Sequence, residues 1–110
     1  MISGVKQQDT DLWEAWIEYD QFNTDYFGTL YICGEVLVNI SSEPKVVKTV
    51  FGNKKSKDLI LQVTERPSGR CRMKEVLYAE PIHNLSQYAT VSIYSGTELV
   101  TRFEEIEVLI

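Results

Sequence analysis

Tyr26-Phe-Gly-Thr-Leu-Tyr-Ile-Cys-Gly-Glu-Val-Leu-Val-Asn-Ile40 decides the fold. Read in steps of two, one side carries Tyr26, Gly28, Leu30, Ile32, Gly34, Val36, Val38 and Ile40. The other carries Phe27, Thr29, Tyr31, Cys33, Glu35, Leu37 and Asn39. Side chains alternate sides along a strand, so this period specifies one long half-buried strand, or two meeting at a bend, with Gly28 and Gly34 as candidate bulges or kinks. Ser41-Ser-Glu-Pro44 ends it, because proline has no N–H for a ladder.

The same period recurs downstream. Lys45–Phe51 reads as a short strand, Gly52–Ser56 as a turn, and Asp58–Thr64 as the return strand with Leu59, Leu61 and Val63 on one side. These form a hairpin with a basic tip. Arg66-Pro-Ser-Gly69 turns the chain into Cys71–Glu80, where Val76 and Tyr78 oppose Met73, Leu77 and Ala79 in an imperfect alternation. Pro81–Gln87 reads as a loop or a crossing between sheets. Tyr88–Tyr94 places Ala89, Val91 and Ile93 inward and Tyr88, Thr90, Ser92 and Tyr94 outward. After a turn at Ser95-Gly-Thr97, the strand Glu98–Ile110 changes parity at Glu104-Glu105, which predicts a bulge there.

Leu12–Tyr19 supports two readings. A strand puts Trp13, Ala15, Ile17 and Tyr19 together; a helix groups Leu12, Ala15, Trp16 and Tyr19, with Asp11 and Glu14 spaced like a capping box. Trp, Ile and Tyr suit pleated surfaces and the rest of the chain is β, so the strand is expected. Seven or eight strands about ten residues apart specify an all-β domain over residues 1–110. The expected architecture is an antiparallel β-sandwich, immunoglobulin-like or transthyretin-like, with a small closed β-barrel as the alternative. A chain of 110 residues, 44% hydrophobic, buries a continuous core unaided.

Charge is unevenly placed. Residues 1–44 hold one lysine against eight acids, a net of −7; residues 45–74 hold nine bases against two acids, a net of +7; residues 75–110 hold one arginine against six acids, a net of −5. The candidate binding residues lie in the basic middle: Lys54, Lys55, Lys57, Arg66, Arg70, Arg72 and Lys74. Arg70, Arg72 and Lys74, at alternate positions, would form an outward row for phosphate, sulfate or an acidic protein. If the two turns project from opposite ends of Asp58–Thr64, the bases form two separate patches. The competing account pairs acidic terminal strands with basic middle ones. Single-stranded nucleic acid is disfavoured, since only Tyr78 interleaves with the bases and the chain is −5 overall.

Chemical motifs are scarce. His83 is the only histidine, a loop residue whose sequence neighbours include Tyr78, Glu80 and Tyr88. The spacings of zinc sites, calcium loops, nucleophile elbows and phosphate loops do not occur, so neither metal nor cofactor is expected. Asp9 with Asp11, and Glu104 with Glu105 and Glu107, read as solvated faces rather than a glycosidase pair. Cys33 and Cys71 are expected to be buried free thiols, though facing strands could bridge them. The sequons at Asn39 and Asn84 read as chance triplets. Trp13, Trp16, Tyr19, Phe22, Tyr26 and Phe27 crowd together and read first as core, while any surplus on the surface would make an interface for protein or carbohydrate.

The pattern points to a non-enzymatic interaction module working through charge-polarised surfaces, with self-association or an acidic protein as partner and no membrane. The alternative function belongs to the barrel, which would bind a ligand or hydrolyse a substrate in its mouth. With no apolar run long enough to span a bilayer and no secretory leader in Met1–Asp9, the cytoplasm is the expected location.

Overall fold

A computed structural model describes residues 12–49 and 57–109. The expected alternation becomes eight strands: β1 (Trp13–Tyr19), β2 (Gly28–Asn39), β3 (Val46–Lys48), β4 (Asp58–Val63), β5 (Cys71–Ile82), β6 (Thr90–Ser95), β7 (Glu98–Phe103) and β8 (Glu107–Leu109). They form two four-stranded sheets, ordered β5-β2-β1-β8 and β3-β4-β6-β7. The sheets are open and face each other as a β-sandwich, so the closed barrel is set aside. They are mixed rather than purely antiparallel, because β1 runs parallel to β8 and β4 parallel to β6.

Alternation explains the core. Trp13 and Ile17 of β1 and Leu30, Ile32, Val36 and Val38 of β2 are buried from one sheet. Leu59, Leu61 and Val63 of β4 and Val91 and Ile93 of β6 meet them from the other. The residues at 12–19 take the strand reading. Their antiparallel pairing with β2 is regular from Trp13↔Gly34 to Tyr19↔Gly28, and that of β2 with β5 is regular from Gly28↔Ile82 to Asn39↔Cys71.

Neither Gly28 nor Gly34 is therefore a bulge. Each permits a close approach instead: a Cβ at Gly34 would overlap the Trp13 indole, and one at Gly28 would overlap the Glu18 carbonyl. The register shift lies elsewhere, at Ile93/Tyr94 against β7. The parity change at Glu104-Glu105 is also no bulge. There the chain leaves one sheet as β7 and enters the other as β8, which reverses the face turned inward.

The expected opposition of faces holds in β5, whereas one expected face of β6 does not. In β5 the even positions Val76, Tyr78 and Ile82 turn inward, leaving Met73, Glu75, Leu77 and Ala79 outside. Ser92, outward by parity in β6, is nonetheless fully buried. Asp58, Thr90 and Arg102 cover it: the Thr90 and Ser92 hydroxyls donate to Asp58, while Arg102 Nη1 donates to Ser92 Oγ at 2.8 Å.

Candidate functional site

The basic middle does not assemble into one surface. Lys54 and Lys55 lie outside the described residues. Lys57 precedes β4, whereas Arg66 and Arg70 follow it in the loop 64–70, so the bases flank opposite ends of that strand. Loop 64–70 is stitched to loop 40–45: Thr64 N donates to the Lys45 carbonyl, and Ile40 N donates to the Arg70 carbonyl. Lys45, Arg66, Arg70 and Arg72 thus gather at one end of the sandwich.

The outward row of Arg70, Arg72 and Lys74 does not exist. Arg70 precedes β5, and Arg72 and Lys74 take the inward-facing parity, opposite Val38 and Val36. Lys74 Nζ donates to the carbonyls of Ile40 (2.8 Å) and Ser42, which ties the loop after β2 to β5.

A different surface emerges from the alternation. The outer face of β5-β2-β1-β8 presents Glu14, Trp16 and Glu18 from β1 and Thr29 through Asn39, at odd positions, from β2. From β5 and β8 it presents Met73, Glu75, Leu77, Ala79, Glu107 and Leu109. Five glutamates and no lysine or arginine therefore share this face among the described residues. Its apolar groups are unusually open: Leu77 is 61% exposed, and Leu37, Met73 and Leu109 are each exposed by more than two-fifths. The Trp16 and Tyr31 rings stack at its centre with centroids 5.5 Å apart. A soluble sheet's outer side normally mixes both charge signs over few large apolar groups.

Cys33 sits within this face, beside Glu14 on β1 and Leu77 on β5. Burial raises its thiol pKa, and the carboxylates of Glu14 and Glu75 raise it further by opposing a thiolate. Both cysteines are free and half-buried. They occupy the same face of the sheet, six positions apart along the β2 register, roughly 20 Å at strand rise, beyond the reach of a disulfide.

The residues nearest His83 in sequence converge, but without the histidine. Glu80, 16% exposed, accepts from the hydroxyls of Tyr78 and Tyr88 at 2.6 Å each, from Gln87 Nε2 at 3.3 Å and from Lys48 Nζ at 3.4 Å. Lys48 also donates to the Tyr88 hydroxyl at 2.8 Å. That bond, joined by the Glu80 charge, raises the Lys48 pKa against the opposing effect of burial. Burial, then Glu80, pushes the Tyr78 hydroxyl up strongly. This network spans from β3 of one sheet to β5 of the other and clamps the sandwich along one side. No run of sequence announces it, since Lys48 and Tyr88 are 40 residues apart.

His83 itself is exposed. Its ring stacks on Tyr26 at 4.8 Å, with Nδ1 3.4 Å from the Asp25 carbonyl. No group of three or more metal-ligating side chains is found among the described residues. Asn39 of the first sequon uses its amide internally, donating to the Ser68 carbonyl and accepting from Ser41 N.

The fold and this face define an all-β sandwich with one acidic, apolar sheet surface. No protein-family model, curated protein or solved structure matches the chain. No helix among the described residues is long and apolar enough to cross a membrane.

Proposed function

We propose that this protein is a non-enzymatic interaction module that docks a basic protein on the outer face of the sheet β5-β2-β1-β8. The observation that carries the reading is the coincidence, on one sheet face, of five glutamates, no base among the described residues, and the exposed Leu37, Met73 and Leu77. Apolar contact supplies affinity at the centre of an interface, while charge of one sign selects and steers the partner. The partner is basic rather than the acidic protein expected from the Lys/Arg block, because exposed apolar groups coincide with the glutamates on this face, whereas Lys45, Arg66, Arg70 and Arg72 gather at a loop end.

Size supports the reading. β2 and β5 have 12 residues each. With 7 residues in β1 and 3 in β8, the face covers roughly 550 Å² at strand rise and spacing, near the lower end of what one partner contributes to a standard interface. The charge arrangement supports it too. Glu35 and Glu75 stand directly opposite each other, a placement that weakens the sheet and that stability alone would not select. We place the encounter in the cytoplasm, a reducing compartment that suits the two free thiols.

The test is site-specific photo-crosslinking in producing cells, with the crosslinker at Leu77 or Met73 and, as reference, at Val47 on the opposite sheet. Expected is one discrete adduct from 73 and 77, identified by mass spectrometry as a basic protein and abolished by Glu35→Lys with Glu75→Lys. Equal yields from Val47, an acidic partner, or indifference to the charge reversals would overturn the proposal.

A further inference from the structure

The acidic face ends in a cleft. Where β1 turns toward β2, Glu18, Asp20, Gln21, Phe22, Thr29 and Tyr31 line an open hollow of about 380 Å³, within the volume range of small-ligand sites. Glu18, Thr29 and Tyr31 belong at once to this hollow and to the outer sheet face, so the two surfaces are continuous.

The chemistry of its walls is selective. Glu18 Oε2 accepts from Trp16 Nε1 at 3.0 Å, and Asp20 Oδ1 accepts from Phe22 N at 3.0 Å. These bonds fix both carboxylates while leaving Glu18 Oε1 and Asp20 Oδ2 without a hydrogen-bond partner among the described residues. Among the described residues, no lysine or arginine lines the hollow to neutralise them. Tyr31 is held on one side by the Trp16 ring, and across β5 it faces only the methyl group of Ala79. Phe22 is 86% exposed at the rim, an aromatic ring offered to solvent by a turn whose backbone Asp20 and Asn23 pin in place.

We infer that this hollow is a receptor for a guanidinium group, the side chain of an arginine that the basic partner inserts as its anchor. The inference rests on the docking role proposed above and names the residue type that the face selects. A guanidinium is planar and stacks on aromatic rings. It also donates in a fork that two separate carboxylate oxygens can share, and it sheds water more readily than an ammonium. Lysine offers a point charge without the plane, so it can approach the rings but neither stacks on them nor donates in a fixed fork. Arginine is also, with tryptophan and tyrosine, one of the residue types enriched among those that dominate interface energetics.

The experiment is an amide NMR titration of the full chain with N-acetyl-arginine amide, run in parallel with the lysine and citrulline counterparts. Citrulline keeps the shape of arginine and removes its charge. Expected are saturable shifts at residues 18–22 and 29–31 with the arginine compound, weaker ones with lysine and none with citrulline. Glu18→Gln with Asp20→Asn, which retain the local acceptors, should weaken arginine binding about tenfold, the equivalent of one charge-assisted hydrogen bond. Glu98→Gln with Glu105→Gln, exposed residues outside this face, should change it less than about twofold.

Absence of saturable shifts in that segment overturns the inference, as do equal shifts from citrulline or an undiminished affinity in the Glu18/Asp20 variant. The dispersion of each variant's spectrum reports whether it is folded. Failure here with crosslinks from Leu77 intact removes the anchor and keeps the docking face. Failure of both removes the face as well.

Discussion

Replacing Glu75 with lysine should make the protein more stable and less able to bind. Glu75 is paired with Glu35 across β2 and β5, and both carboxylates are exposed. Like charges directly opposite on one sheet face destabilise by roughly 0.2–1 kcal/mol, and an opposite pair contributes a similar amount in the other direction. Charge reversal therefore spans roughly 0.4–2 kcal/mol, and solvent screening at an exposed pair favours the lower half, about 0.5–1 kcal/mol. The unfolding entropy is about 2.1 cal/mol/K per residue, so a 110-residue chain gains about 4 °C for each kcal/mol.

The expected rise in Tm for Glu75→Lys is thus about 2–4 °C by thermal unfolding in low salt. It should largely disappear at about 1 M salt, where the screening length falls to about 3 Å. The same variant should lose the crosslinked adduct at Leu77. A fall in Tm, or a gain that survives high salt, would show that Glu75 is not opposed by Glu35. Higher stability with binding retained would show that the repulsion has no functional counterpart.

Other expectations concern the clamp and the core. Tyr78 and Lys48 both hold their protons more tightly in the folded chain than in the unfolded one. Their contribution is complete below about pH 10 and is lost as pH rises further, so urea midpoints should fall above that point, and Tyr78→Phe should flatten the decline. Gly34→Ala forces a methyl group into the Trp13 indole, which is only 2% exposed. The strain should cost about 1–3 kcal/mol, seen as a Tm lower by about 4–12 °C and a red-shifted tryptophan emission. Cys33 should alkylate more slowly than free cysteine near pH 8, and Glu14→Gln with Glu75→Gln should accelerate it, because the thiolate is the reacting form.

Much of this architecture could be read from periodicity because buried strands obey it. Leu30, Ile32, Val36 and Val38 alternate with polar or smaller neighbours, and the structure buries all four. In β5 the two opposed faces were legible, but which of them turns inward was not. Its inward side ends in Tyr78, Glu80, Lys74 and Arg72, while its outward side carries Met73, Leu77 and Ala79. A rule that sends apolar residues inward cannot rank two sides that both carry them, and here the structure leaves Met73, Leu77 and Ala79 exposed.

The basic block misled in the opposite way. Sequence proximity grouped Arg70, Arg72 and Lys74, but strand parity and the carbonyls of Ile40 and Ser42 gave Lys74 a tethering role. The candidate cleft was legible only as an aromatic surplus between Trp16 and Phe27. Its shape depends on the turn between β1 and β2, which no periodicity describes. Likewise, the crossing at Glu104-Glu105 left a parity change that a bulge would also produce.

The parallel pairing of β1 with β8 carries a consequence for how the chain reaches this structure. Trp16 and Glu107 are neighbours although 91 residues separate them, and the β4–β6 pairing of Asp58 with Thr90 closes a 32-residue span. Contacts so distant in sequence form late, after the β1–β2 and β6–β7 units, and such topologies fold on the millisecond-to-second scale. During that interval the β1–β2 ribbon displays Trp16, Tyr31 and Leu37 with its edge beside β1 unpaired. Glu14, Glu18 and Glu35 lie among those side chains, where charge opposes strand-to-strand association between nascent molecules. Glutamates that cost the finished sheet some stability thus keep the half-built one from choosing a copy of itself.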